Sequence, residues 1–218
     1  MSTPSTPSTG PSARVPRRDA TENRAALLVA ARDVLNVDPE ASLETIATRA
    51  GLSRRSVYGH FATRDDLLRE LVRLGSGRVA GAVAGITHTD PVVRLALIGT
   101  RLWHEVEHVR VMALITVRGP LRSYAADALL PVRAAVLAAV GEALAASSIR
   151  SDVTASRLAR LVEDSALSVL EESTREALPS RDGHRLVMMN MLGTLGYGWR
   201  EAQDFIDAHA ELAYEALV

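Results

Sequence analysis

Cysteine and lysine are both missing from this chain of 218 residues. Without cysteine there is no disulfide, no thiol nucleophile and no thiolate zinc site. Without lysine, all 25 basic residues are arginine, so any phosphate contact uses a guanidinium, which can engage two oxygens at once. Aromatics make up only 4%, whereas 47% of the residues are hydrophobic, so the core has to be built from Ala, Leu and Val, a composition that favours helices over sheets. No apolar run approaches the length that spans a bilayer, and the N-terminus is rich in Ser, Thr and Pro with no hydrophobic segment. A cytoplasmic protein without membrane contact is expected. Neither a cofactor nor a resident metal is called for.

Net charge is −1, which taken alone argues against a nucleic-acid partner. Its distribution argues the other way. Residues 1–64 carry nine Arg and six Asp or Glu, a balance of +3, and residues 65–218 carry a balance of −4.

The positive end contains the most specific stretch, SLETIATRAGLSRRSVYGHFATR at residues 42–64. Ser42, Ser53 and Thr63 each stand where a helix cap is wanted, so three helix starts fall within about twenty residues. Ile46, Ala47, Ala50, Leu52, Val57 and Phe61 form the inward sides of two short helices, and Gly51 permits the sharp turn between them. Arg54, Arg55, Ser56, Gly59 and His60 then face outward. Arginine can pair bidentately with the O6/N7 edge of guanine in the major groove. Ser56, Tyr58, His60 and Arg64 suit phosphate oxygens, which set register without reading sequence. The start of the fourth helix is a further phosphate seat.

Elsewhere the pattern is helical throughout. A first helix is expected over 21–35, ended by Asp38-Pro39, and a fourth to about Ala84, weakened by Gly75, Gly77, Gly81 and Gly85. Asp90-Pro91 opens a pair of helices over 91–118 with a break near His108. Gly119-Pro120 closes them. One helix kinked at Pro131 is expected over 121–147, then helices over 154–177 and 183–195, and a last one from Trp199 to the C-terminus. The fold expected is all-α, with nine to ten helices. Residues 1–20 read as a disordered tail ending in Arg14, Arg17 and Arg18, either a solvated leader or a basic arm that reaches DNA phosphate or minor groove.

Residues 21–68 resemble the DNA-binding domain of the tetracycline-repressor-like (TetR) family of bacterial transcriptional regulators. The residues that carry the resemblance are Ala30-Ala31, Ile46-Ala47-x-x-Ala50-Gly51-Leu52-Ser53, Ser56-Val57-Tyr58-x-His60-Phe61 and Asp66-Leu67-Leu68. The family usually has lysine where this chain has Arg64, a change that keeps the charge. The resemblance implies a helix-turn-helix DNA-binding domain over 21–66, a C-terminal ligand-binding and dimerisation domain over 67–218, and a homodimer on a double-stranded, palindromic operator. A small-molecule effector would release the operator. It also implies that Ser42 and Thr45 touch phosphate or a base edge, that Arg54, Arg55 and Ser56 read bases, and that Tyr58, His60 and Arg64 hold phosphates. Ser53 and Gly59 complete that face. Glu44 has no assigned place: it would accept from cytosine N4 or cap the second helix.

Sparse polar groups among the apolar ones of the C-terminal helices (Trp103, His104, Met112, Thr116, Tyr124, Glu163 and Asp164) are candidates for an effector pocket. Leu158, Leu161, Val162, Val169, Leu186, Met189, Asn190 and Gly193 are candidates for the dimer interface. Two competing functions remain. His104-Glu105-Val106-Glu107-His108 matches the zinc-hydrolase pattern H-E-x-x-H, with both histidines on one helical face, but Val111 and Leu114 stand where the extended form needs Gly and His. A helical protein-interaction adaptor without DNA is the other.

Overall fold

The computed structural model describes residues 16–176 and 178–216, with side chains from Asp19 onward. Most of the tail, including Arg14, lies outside the described residues, as do the side chains of Arg17 and Arg18. So do Ala177 and the last two residues.

Eleven α-helices and two short 3-10 turns are found among the described residues, with no strand. They are α1 (Pro16–Leu35), α2 (Leu43–Arg49), α3 (Arg54–His60), α4 (Arg64–Ala84), α5 (Pro91–Val106), α6 (Arg110–Val117), α7 (Arg122–Ala125), α8 (Leu130–Ala145), α9 (Ala155–Arg175), α10 (Ser180–Leu195) and α11 (Trp199–Ala208). The turns are Ala210–Leu212 and Tyr214–Ala216.

Side-chain caps set four of the starts. Ser42, Ser53 and Thr63 all accept the backbone N–H three residues on, and Asp66 returns the favour to Thr63 N at 3.1 Å, closing a capping box. Asp90 caps α5 ahead of Pro91.

Three expectations need correction. First, α1 opens on Pro16 rather than near Thr21, so it runs into the stretch read as a tail; proline suits a first helical position because it has no N–H to leave unpaired. Second, the helix over 121–147 is two helices. Pro131 lies in the first turn of α8 rather than at a kink, since its ring and missing N–H oppose a helix continuing through it. Third, α11 stops at Ala208. The ring Nδ1 of His209 lies 2.7 Å from the Phe205 carbonyl, taking the place its backbone N–H would fill in a continuing helix, and the chain turns into 3-10 geometry.

Two cores result. One joins Leu27, Leu35, Ile46, Val57 and Leu67 under the turn motif, and also recruits Met112, Leu121 and Ala125 from the far half of the chain. The other joins α5, α8, α9 and α10 around Leu95, Ile98, Val140, Leu158 and Met188. Packing therefore runs across the 66/67 boundary. α4 spans both cores, contributing Leu67 to the first and Val83 to the second.

Candidate nucleic-acid interface and ligand cavity

The α2–α3 unit turns at Gly51, whose φ of +70° lies in the left-handed region that other residues enter only at a cost. Leu52 N closes the turn onto Ala47 O at 2.9 Å. Val57 and Phe61 are buried beneath it, which obliges the rest of α3 to face out. Arg54, Arg55, Tyr58 and Gly59 are exposed, and Ser56 and His60 are half-buried. Ser42, Thr45 and Ser53 are exposed too. Their hydroxyls serve the helix starts: Ser42 Oγ accepts from Thr45 N at 3.1 Å, and Ser53 Oγ from Ser56 N at 3.2 Å.

Two predicted phosphate contacts are already engaged. Arg64 does not stand free: its Nε donates to Ala41 O at 2.9 Å and its Nη2 to Pro39 O, so it fastens α4 to the loop before α2. Tyr58 donates its hydroxyl hydrogen to Glu44 Oε1 at 2.8 Å. Sequence reasoning also missed Arg24. It pairs with Glu70 of α4, donates to the carbonyl of His60 at 2.9 Å and lies 4.3 Å from the Phe61 ring centroid, tying α1, α3 and α4 together. No spacing rule would have found it, because its partners are 36 and 46 residues away.

The C-terminal core holds a partly open cavity of about 170 Å³. Its walls are almost wholly aliphatic, with Trp103 at one side and a single charged pair, Arg133 and Glu163, 3.7 Å apart. Burial pushes the Glu163 carboxyl above its usual range, against the opposing pull of Arg133. Trp103 is held by its indole N–H to Ser180 O at 3.1 Å, and its ring lies on the backbone of Gly183, where a Cβ would come within 1.9 Å of it. A second cavity of about 400 Å³ lies where Leu28, Val29 and Arg32 of α1 meet Gly75 and Arg78 of α4 and Met112 and Thr116 of α6. Val79, Val106, Ala113, Val117 and Leu129 line both, so the two cavities adjoin.

Of the seven predicted pocket residues, Trp103 and Glu163 line the first cavity and Met112 and Thr116 the second. The other three line neither. Tyr124 packs on the N-terminal core and donates to Asp65 at 2.7 Å. Asp164 is exposed and faces Arg118 at 3.5 Å. His104 belongs to a polar cluster behind Trp103. Burial pushes His184 below the usual imidazole range, and its Nε2 lies 2.9 Å from Leu212 O. That nitrogen is the donor, which leaves His184 Nδ1 to accept from His104 Nε2 at 3.1 Å.

The zinc pattern does not assemble. α5 ends at Val106, so His108 is no longer one helical turn from His104, and the described residues hold no group of three or more His, Asp or Glu fit for a metal. Among the predicted dimer residues, Leu158, Val162 and Val169 are buried in the chain's own core, because the inward face of α9 packs on α8 and α10. Leu161 and Leu186 remain exposed at 44% and 38%, with Gly193 exposed and Met189 and Asn190 half-buried beside them.

Comparison with known proteins agrees with this arrangement. Residues 27–71 match the model for bacterial regulatory proteins of the tetR family. The chain has the fold of the fatty acid degradation regulator FadR from Bacillus halodurans, at 15% identity and a TM-score of 0.68, covering 87% of this chain and 97% of that one. It is also similar to SmeT, the repressor of the Stenotrophomonas maltophilia efflux pump SmeDEF, at 22% identity and a TM-score of 0.64, covering 81% and 90%. A third likeness is to NalD, the secondary repressor of the MexAB-OprM pump in Pseudomonas aeruginosa, at 17% identity and a TM-score of 0.61, covering 82% and 98%. No curated protein sequence matches the chain. With its matched turn motif, its outward arginines and its shared helical fold, this chain is similar to the tetR family of bacterial regulatory proteins, in sequence over residues 27–71 and in fold over most of its length.

Proposed function

We propose that this protein is a ligand-responsive DNA-binding transcriptional regulator, acting as a repressor that a small molecule releases from a palindromic operator. The observation that carries the reading is α3: a helix capped by Ser53, seated on Val57 and Phe61, and presenting Arg54 and Arg55 outward. Base edges fall to Arg55 and Ser56, and phosphates to Ser42, Thr45, Ser53, His60 and the N-terminus of α4.

Two such helices need a two-fold dimer to meet half-sites about 34–36 Å apart. The exposed Leu161, Leu186 and Gly193, with the half-buried Met189 and Asn190 beside them, are the face that we assign to it. No helix among the described residues is long and apolar enough to cross a membrane.

The effector enters the C-terminal cavity. Aliphatic walls and one charged pair suit a largely apolar molecule with a single polar group. Solved structures of similar fold hold small-molecule ligands: FadR from Bacillus subtilis with stearoyl-CoA, LfrR from Mycobacterium smegmatis with proflavine, and SmeT with triclosan. α4 is the lever. Its first turn packs under the reading head and Val79, four turns on, lines both cavities. A ligand that fits better when α4 is displaced shifts the population toward dimers whose two reading helices no longer match successive major grooves. A gel shift on DNA upstream of the protein's own gene, with and without apolar small molecules, tests this. A retarded band that such a molecule abolishes is expected; no band with any upstream fragment would refute it.

A further inference from the structure

Glu44 is a carboxylate where the interface calls for positive charge. It is the only Asp or Glu between Ser42 and Arg64, a stretch that holds Arg49, Arg54, Arg55 and Arg64. Ser42 already caps α2, so Glu44 is not needed for that. It lies in the first turn of the helix, where the free N–H groups favour negative charge, and these are the groups a DNA phosphate would use.

One of its oxygens gathers two side chains from α3. Tyr58 donates to Oε1 at 2.8 Å, and Arg54 Nε lies 3.3 Å from the same atom. The Arg54 guanidinium carbon is 5.7 Å from the centroid of the Tyr58 ring. The Tyr58 hydrogen bond holds the Glu44 carboxyl below its usual range and pushes the phenol above its own, so Glu44 is charged at neutral pH. A phenol has one hydrogen to give. While Glu44 holds it, Tyr58 offers phosphate only lone pairs, and the carboxylate beside Arg54 Nε offsets part of the charge that Arg54 would bring to a phosphate. Arg55, the next residue, has no ion pair or hydrogen bond among the described residues.

We propose that Glu44 is a specificity-determining residue of the DNA face: by holding Arg54 and Tyr58 it suppresses phosphate binding on arbitrary duplex, leaving Arg55 as the arginine free to read a base edge. The inference rests on the reading of α2 and α3 as the DNA interface. Its physical basis is that phosphate contacts supply nearly all sequence-independent affinity, so removing two of them lowers the background against which a chosen site must compete.

The experiment titrates full-length protein onto a random-sequence 30-base-pair duplex across a series of KCl concentrations, followed by fluorescence anisotropy. Glu44→Gln keeps the shape and removes the charge. It should tighten binding about fivefold to tenfold near 0.1 M salt and steepen the plot of log K against log salt by about one, the mark of one more neutralised phosphate. Adding Arg54→Ala to Glu44→Gln should return both values toward wild type. An unchanged salt slope in Glu44→Gln, or weaker binding with an unchanged melting temperature, overturns the proposal. If neither wild type nor Glu44→Gln binds duplex at all, the DNA reading itself has failed. If wild type binds and Arg55→Ala weakens it while Glu44→Gln does nothing, only the role given to Glu44 has failed.

Discussion

The reading head and the cavity domain are both built of helices but specified in different ways. In the head, the proposed DNA face consists of polar side chains at the surface, each placed by chemistry within a few residues: Ser53 caps α3, Gly51 turns the chain, and Val57 and Phe61 bury one face so that Arg54 and Arg55 occupy the other. In the cavity domain, function lies in a shape. Its walls come from α4, α5, α6, α8, α9 and α10, and their residues are ordinary core aliphatics with one charged pair among them. An interface of the first kind announces itself in twenty residues. A cavity of the second kind has no local signature.

Substitutions can sharpen or break that contrast. The largest effect is expected from Gly183→Ala. A Cβ there would overlap the Trp103 ring, so stability should fall by about 3 kcal/mol and the cavity wall should shift, seen as a lower melting temperature and altered tryptophan fluorescence. A melting temperature equal to wild type would mean that Trp103 does not rest on α10. Arg55→Ala is expected to cost about 1–3 kcal/mol of discrimination at one base pair and nothing in stability, measured by binding to an operator and its single-base variants. Were affinity to fall uniformly over all sequences instead, Arg55 would be a phosphate contact. Gly51→Ala lies between these, at about 1–2 kcal/mol of stability, because the loss comes from a left-handed backbone rather than from a clash. A calorimetric scan distinguishes it from Gly183→Ala by size.

The smallest effect is expected from Glu163→Gln. The sign follows from a carboxyl whose folded pKa is raised: folding prefers its neutral form, so the charge costs stability above that pKa and the cost disappears as pH falls through it. The Gln variant should therefore melt higher than wild type at pH 7–8, by no more than ~2–4 °C for a chain of this size, and the two should converge near pH 4. A wild type that melted higher than the Gln variant at pH 7–8 would show the Arg133 pair outweighing burial.

How much was legible follows the same division. The three caps, the turn and the start of α5 were read correctly because each rests on a hydrogen bond or a dihedral fixed within four residues. Pro131 was misplaced because a proline in an apolar run is compatible with a kink or with a helix start, and only the packing around α7 and α8 chooses. Arg64 and Tyr58 were assigned to phosphate from charge, position and the family resemblance, none of which shows what else they touch. Their partners, the carbonyls of Pro39 and Ala41 and the carboxylate of Glu44, lie 14 to 25 residues away and leave no mark on the local pattern. The pocket list favoured polar residues. Four of the seven line cavities, while His104, Tyr124 and Asp164 were drawn into hydrogen bonds and ion pairs elsewhere.

By itself, then, the sequence determined an all-helical chain and a positively charged turn motif with two outward arginines, because caps, turns and amphipathic faces are settled between near neighbours. Tertiary structure alone decided which of those arginines Glu44 restrains, where Trp103 leans, and which leucines of α9 are core rather than surface. Those outcomes depend on helices far apart in the chain competing for the same space and the same hydrogen-bond donors, and that competition begins only once the helices have packed.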